Sequence, residues 1–157
     1  MKKKIYLETT VFNYYFDKNR KEHKDTLRLF ELIYSGEFEA YTSQYALDEI
    51  GECYEPKRSK MYKLVDNYNI IVLGASDEAK RLMRIYINEG MVPRSSEEDG
   101  LHIATASINN VDAIISLNFN HINRAKTKLM IQEINEKEGY KEISILSPLE
   151  VVDNGKS

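Results

Sequence analysis

Short apolar runs alternate with amphipathic helical patterns along almost the whole chain, and this alternation is the strongest constraint on its fold. Five β-prone runs are separated by stretches in which apolar residues recur every three or four positions. Because parallel strands need a long connection, usually a helix, the pattern predicts an α/β fold. We expect a central, mostly parallel, five-stranded sheet flanked by helices on both faces. The predicted strands are residues 4–7, 38–42, 69–73, 113–116 and 143–146.

The helical stretches carry their own start and stop signals. Ser43 and Ser76 are candidate N-caps, and Gly36 and Gly90 follow the last apolar positions of two helices. Since neither a repeat nor a linker-like segment interrupts the pattern, we expect one domain over residues 1–157. The predicted helices cover residues 24–34, 44–50, 56–68, 76–89, 97–109 and 122–138.

The composition is typical of a globular protein of a reducing compartment. The net charge of −3 over 157 residues excludes a polycation that binds nucleic acid non-specifically. The single cysteine, Cys53, excludes an intramolecular disulfide and a zinc–thiolate cluster. The sequence has no apolar run that could span a membrane, and the run after Lys4 ends at Glu8, too soon for a signal peptide. We therefore expect a cytoplasmic protein without membrane association.

Acidic and amide side chains follow the predicted strands or lie on helices that face the strand ends. Glu8 follows the first strand, Glu49 lies on the helix after the second, Asp99 lies near the start of a later helix, and Asn118 follows the fourth strand. Ligands of open parallel sheets bind at the carboxyl ends of the strands, where the strand order reverses. Carboxylates gathered there would repel one another unless a cation neutralised them, and oxygen ligands suit Mg²⁺ or Mn²⁺. Such an ion can activate a water molecule against a phosphodiester.

Each of these residues has a simpler structural interpretation when it is considered alone. Glu8 could be a solvated turn residue or a helix cap, and Glu49 could be one of several exposed helix acids. Asp99 has the spacing of a capping box with Ser96, and Asn118 has the side chain that turns prefer. Their convergence on one edge of the sheet favours the functional interpretation.

Four segments at these positions resemble the motifs of the PIN domain family. They are residues 5–13 (IYLETTVFN), 43–49 (SQYALDE), 98–106 (EDGLHIATA) and 115–119 (ISLNF), in the order and spacing of the family. The resemblance spans residues 4–149. It implies a Mg²⁺- or Mn²⁺-dependent endoribonuclease that cleaves single-stranded RNA, commonly the toxin of a toxin–antitoxin pair with a cognate antitoxin as its partner.

The same resemblance assigns roles to the four residues. Glu8, Glu49 and Asp99 would bind the metal, and Asn118 would be the fourth catalytic and metal-site residue, positioning a metal-bound water molecule or the scissile phosphate. Glu8 stands where the family usually has an Asp, and Asn118 where many members have a fourth Asp. The longer Glu8 side chain would bind through a bridging water or a shifted metal, and three carboxylates favour one divalent cation over two.

Hydroxyl and imidazole side chains add less to the predicted chemistry. Thr9 and Ser116 would orient the water or a phosphate, or would be ordinary turn hydroxyls. His102 lies on an apolar helix, and we expect a hydrogen-bonded core residue there rather than a base. Neither it nor His23 and His121 has the spacing of metal ligands.

Positive charge is concentrated in two short clusters. Runs of this kind are usually solvated faces, but beside an acidic site they could also contact a phosphate backbone. The first cluster comprises Lys57, Arg58, Lys60 and Lys63, and the second Arg124, Lys126 and Lys128.

Three consecutive aromatic residues, Tyr14, Tyr15 and Phe16, predict an apolar surface near the first two helices. Because one helix or turn cannot direct all three into one core, at least one should be exposed or covered by another chain, and we expect a homodimer. The alternative to the nuclease is a catalytically weak or inactive PIN-like scaffold that binds RNA or a protein. A phosphatase is disfavoured, because the first strand is not followed by the Asp-x-Asp pair of an aspartyl-phosphate mechanism.

Overall fold

Five strands pair in parallel in one sheet of the computed structural model, which describes residues 2–154. The strand order is β3-β2-β1-β4-β5, so the predicted parallel sheet is confirmed. The sheet contains no antiparallel pair among the described residues, where the sequence predicted a mostly parallel one. The strands are β1 (Lys3–Leu7), β2 (Phe38–Ser43), β3 (Ile71–Leu73), β4 (Ala113–Ile115) and β5 (Ser144–Leu146).

Alternation of side chains along β1 creates a hydrophobic core on each face of the sheet. Ile5 and Leu7 pack into one cluster, with Phe12 and Phe30 from helices of that face. Tyr6 points to the opposite cluster, where helices of the second half of the chain cover the sheet. Because both faces are buried, β1 is a continuous apolar run rather than an alternating one.

Eight helices surround the sheet in the described part of the chain. None of them is long and apolar enough to cross a membrane. They are α1 (Thr9–Tyr14), α2 (His23–Tyr34), α3 (Gln44–Gly51), α4 (Lys57–Asn67), α5 (Asp77–Asn88), α6 (Glu97–Ile108), α7 (Ala125–Glu138) and α8 (Pro148–Asn154).

The strand order reverses at β1, which lies between β2 and β4. The first half of the chain builds the sheet outward from β1 through β2 to β3, and the second half adds β4 and β5 on the other side. The carboxyl ends of β1 and β4 therefore border the crevice in which such sheets bind ligands.

Two helices were not predicted. α1 begins at Thr9, directly after β1, and its six residues are too few for a periodic signal. α8 begins at Pro148, a residue that favours the first position of a helix. α7 begins at Ala125 rather than near residue 122, because hydrogen bonds hold the preceding loop to Asn118.

Candidate active site

Glu8 is buried at the end of β1, with 3% of its surface exposed. Its Oε1 accepts hydrogen bonds from the Thr10 hydroxyl at 2.5 Å and the Ser116 hydroxyl at 2.7 Å. Burial raises the pKa of Glu8, against the opposing effects of the His102 charge and the two hydroxyls. Its other oxygen, Oε2, has no hydrogen-bond partner within residues 2–154. Hydrogen bonds thus fix the Glu8 side chain and leave one of its oxygens free. Because the residue is buried, the interpretation of Glu8 as a solvated turn residue is wrong.

Glu49 lies on α3 and pairs with a fully buried histidine. Its Oε1 accepts from the Thr9 hydroxyl at 2.8 Å and lies 2.5 Å from His102 Nε2. An ionised carboxylate only accepts hydrogen bonds, so the proton of this contact belongs to His102 Nε2. Burial raises the pKa of Glu49, but the hydrogen bond and charge of His102 and the Thr9 hydroxyl outweigh it, and the net pKa is lowered. Glu49 is thereby kept as a carboxylate.

His102 is held on both sides of its ring. The Tyr6 hydroxyl lies 2.6 Å from its Nδ1 and 2.6 Å from the Ser43 hydroxyl. Burial lowers the pKa of His102, but the hydrogen bond to Glu49 and nearby carboxylate charges outweigh it, so the net pKa is raised. The expectation of a hydrogen-bonded core histidine is confirmed, and its partner is a candidate site residue.

Asp99, near the start of α6, contacts Asn118 and a second histidine. Its Oδ1 accepts from Asn118 Nδ2 at 3.1 Å, and its Oδ2 lies 3.0 Å from His121 Nδ1. The alternative interpretation of Ser96 and Asp99 as a capping box is wrong, because neither side chain caps the helix. The Ser96 hydroxyl lies instead 3.3 Å from His121 Nδ1.

Asn118 turns its amide nitrogen to Asp99 and its oxygen to the backbone. Its Oδ1 accepts from the backbone N–H groups of Asn120 at 3.2 Å and His121 at 3.1 Å. These two donors fix the orientation of the amide, because only its oxygen can accept. The side chain therefore serves the loop turn and Asp99 together.

Hydrogen bonds connect Glu8 to Asp99 through Ser116 and Asn118, whereas within residues 2–154 the Glu49 carboxylate lies outside this network. The Ser116 hydroxyl that donates to Glu8 accepts from the backbone N–H of Asn118 at 3.0 Å. Glu49 and Asp99 line one cavity of about 470 Å³. The same cavity is bordered by three further acids, Asp48, Glu52 and Glu98.

The donor set suits a hard divalent cation. Glu8 and Glu49 each have one oxygen without a hydrogen-bond partner in the described part of the chain. Mg²⁺ commonly binds one or two carboxylates and completes its shell with waters and substrate phosphates, so two free oxygens fit its requirements. Within residues 2–154 no group of three or more His, Cys, Asp or Glu side chains is close enough to hold an ion by protein ligands alone. Asp99 would therefore act through water or after leaving one of its partners.

The two histidines at the site were not predicted to take part in it. His102 contacts an acid 53 positions away, and His121 one 22 positions away. The periodicity of a single sequence predicts local structure and cannot predict contacts between residues so far apart. The signal available was that His102 lies three residues after Asp99, almost one helical turn.

Comparison with known structures supports the same architecture. No family model and no curated protein matches the sequence. The fold is similar to that of a chain of VapBC2 from Rickettsia felis, solved bound to a DNA fragment from its promoter, with a TM-score of 0.58 and 14% identity over 92% of this chain and 98% of that chain. It is also similar to VapC20 from Mycobacterium tuberculosis, a toxin that cleaves the sarcin–ricin loop, with a TM-score of 0.56 and 12% identity over 70% of this chain and 86% of that chain. The chain has a PIN-like fold. At these identities the similarity concerns the fold alone.

Proposed function

We propose that this PIN-like chain is a Mg²⁺- or Mn²⁺-dependent endoribonuclease that cleaves single-stranded RNA. The observation that carries the proposal is the crevice at the strand-order reversal, where Glu49 and Asp99 line one cavity and Glu8 is linked to Asp99 through Ser116 and Asn118. Acid-only donors beside a cavity suit metal-assisted hydrolysis of a phosphodiester.

Glu8, Glu49 and Asp99 are the proposed metal ligands in this assignment. A bound divalent cation supplies positive charge against the negative charge that develops on the phosphate. For Asn118 we propose a positioning role, since its amide nitrogen donates to Asp99. Thr9 and Ser116 would likewise hold the carboxylates of Glu49 and Glu8 in place.

Cleavage of a panel of structured and unstructured RNAs tests the activity. Purified protein is incubated with each RNA in Mg²⁺, in Mn²⁺ or in EDTA. We expect cleavage of unstructured RNA in both metals and none in EDTA. Cleavage that persists in EDTA would overturn the metal assignment.

The biological role we propose is that of a toxin with a cognate antitoxin. The similar structures include a DNA-bound VapBC2 and an RNA-cleaving toxin, which supports this role. A small upstream reading frame for a DNA-binding protein would support it further. A reducing cytoplasm is the compartment we propose, in keeping with the single free Cys53.

A partner surface is proposed near α1 and α2, where the sequence predicted one. Tyr14, Tyr15 and Phe16 are all half-buried, and the last two line a cavity of about 660 Å³ together with Leu27. An antitoxin or a second copy of the chain would cover this apolar wall, and the homodimer remains our prediction.

The second candidate function is a scaffold that binds RNA or protein without cutting. It is favoured by the partners that each carboxylate already has, above all the pairing of His102 with Glu49. Thermal unfolding separates the two functions, because a ligand that binds only the native state raises its melting temperature. No response to millimolar Mg²⁺ or Mn²⁺ would favour the scaffold.

A further inference from the structure

The two basic clusters of the sequence lie in different surroundings. Lys57 and Lys60 border the apolar cavity beside α1 and α2. Arg124 and Lys126 border another cavity, of about 350 Å³, which also includes Arg94 from the loop between α5 and α6. The fold thus brings Arg94, from 30 positions away in sequence, to two of the three cations of the second cluster, whereas Lys128 borders a different cavity.

Arg124 is already fixed at the wall of this cavity. Its Nε donates to the Thr127 hydroxyl at 2.9 Å, and one terminal nitrogen donates to the Met91 carbonyl at 2.8 Å. Two of its five N–H groups are thereby used, and three remain for a ligand. A guanidinium held in this way loses little side-chain entropy when it binds an anion.

Arg94 and Lys126, unlike Arg124, are not fixed by contacts with the rest of the described chain. Both are exposed, and neither makes a side-chain hydrogen bond or ion pair in the described range 2–154. Two like charges beside a third cost free energy unless an anion or solvent screens them. Because these two cations lie at the same cavity as Arg124, the cavity favours the binding of a negatively charged ligand.

This basic cavity adjoins the acidic site. Arg94 lies two residues before Ser96, so their Cα atoms are at most about 8 Å apart. Arg124 lies three residues after His121, and the Ser96 hydroxyl and Asp99 Oδ2 both contact His121 Nδ1, at 3.3 and 3.0 Å. Both arginines therefore flank the contact that holds Asp99.

We propose that Arg94, Arg124 and Lys126 form a subsite for a backbone phosphate of the RNA strand, next to the nucleotide at the acidic site; this inference rests on the proposed function. Five carboxylates border the acidic cavity and repel a polyanion. A neighbouring positive subsite offsets that repulsion and fixes the path of the strand. Guanidinium groups recognise phosphate oxygens with paired hydrogen bonds, which suits a phosphodiester.

The test is RNA binding by the double variant Arg94→Gln/Lys126→Gln, which leaves the structural Arg124 intact. A fluorescein-labelled, unstructured oligoribonucleotide is titrated in Mg²⁺ over a range of salt concentrations, in an Asp99→Asn background that prevents cleavage. The matched control is Lys80→Gln/Arg84→Gln, which removes the same two charge types from exposed positions of α5 that line none of the cavities described above. Cleavage by the protein with Asp99 intact is measured in parallel.

We expect the Arg94/Lys126 variant to bind about tenfold more weakly and to lose about 0.7 from its salt slope, the value for one phosphate contact on a single strand. The control should change neither. Single-stranded DNA of the same sequence, which shares the phosphates, should show the same loss.

Three results of the comparison between the variants would overturn the subsite. These are an unchanged affinity, an equal loss in the control, or a loss for RNA without one for DNA. A parent that cleaves RNA while the variant binds normally would refute the subsite and leave the nuclease standing. A variant that binds weakly while the parent never cleaves would support the subsite and refute the nuclease, and a parent that binds no RNA would refute both.

Discussion

Replacing Asn118 with Asp tests the candidate site most directly, because it adds one charge at a defined contact. Asn118 Nδ2 lies 3.1 Å from Asp99 Oδ1, so the substitution places two carboxylate oxygens where a hydrogen bond had been. The variant keeps an oxygen for the backbone N–H groups of Asn120 and His121, and the loop turn is preserved.

The size of the effect follows from the distance. Two unit charges at the 3.1 Å separation repel by about 5 kcal/mol at an effective dielectric constant of about 20. Protonation of the pair limits the loss to about 4 kcal/mol at neutral pH, the free energy of moving a pKa from about 3.9 to 7. Asp99 keeps 17% side-chain exposure, so solvent and small shifts reduce the loss further, and we expect about 1–3 kcal/mol. That corresponds to about 3–10 °C in melting temperature for a domain of this size.

Thermal unfolding in EDTA and in Mg²⁺ measures both parts of the prediction. The matched control is Asn120→Asp, which adds the same charge two residues away at an exposed position. Asn118→Asp should unfold earlier than the control in EDTA, and Mg²⁺ should raise its melting temperature more than that of the parent. An unchanged melting temperature in EDTA would refute the contact with Asp99. Failure of both proteins to respond to millimolar Mg²⁺ or Mn²⁺ would refute the nuclease.

Three further predictions test the assigned roles. Asp99→Asn should abolish RNA cleavage in a gel assay and lower the melting temperature by only a few degrees, whereas retained cleavage would remove Asp99 from the site. In EDTA, the melting-temperature difference between the parent and His102→Gln should be largest between pH 4.5 and 6.5, the ordinary pKa values of Glu49 and His102. The raised pKa of His102 contributes stability that is lost as the pH rises through that pKa. The lowered pKa of Glu49 contributes stability that is lost as the pH falls through that pKa. A constant difference from about pH 4 to about pH 9 would show that the pair is not ionic. Sedimentation should give a dimer at tens of micromolar, and a monomer would contradict the homodimer predicted to form through Tyr15 and Phe16.

Much of the fold was readable in the sequence because the strands are continuous apolar runs. Residues 5–7 and 113–115 are buried on both faces of the sheet, and their β-prone side chains interrupt the helical period clearly. α1 and α8 were missed, because six or seven residues are too few to show a helical period.

The sequence predicted less of the candidate site than of the fold. The positions after strands pointed to Glu8 and Asn118, but which atom faces which partner depends on packing. Asn118 was expected to contribute to the site through a water or a phosphate, whereas its amide oxygen is engaged by backbone N–H groups. The hydrogen bond between His102 and Glu49 joins two residues that are 53 positions apart on different helices, and only the folded sheet brings them together.

The amide at position 118 fits the charge of the proposed site once the neighbouring His102 is included. Glu8, Glu49 and Asp99 carry three negative charges when ionised, and the raised pKa of His102 favours one positive charge beside Glu49. With all three carboxylates ionised, including the buried Glu8 whose pKa is raised, and with His102 protonated, the net charge of −2 matches one divalent cation. A fourth carboxylate at position 118 would leave the site negative with a single ion, whereas the amide present there keeps the balance and still holds Asp99. In the proposed nuclease, the buried histidine and the asparagine would therefore both bring the negative charge of the site into balance with a single divalent ion.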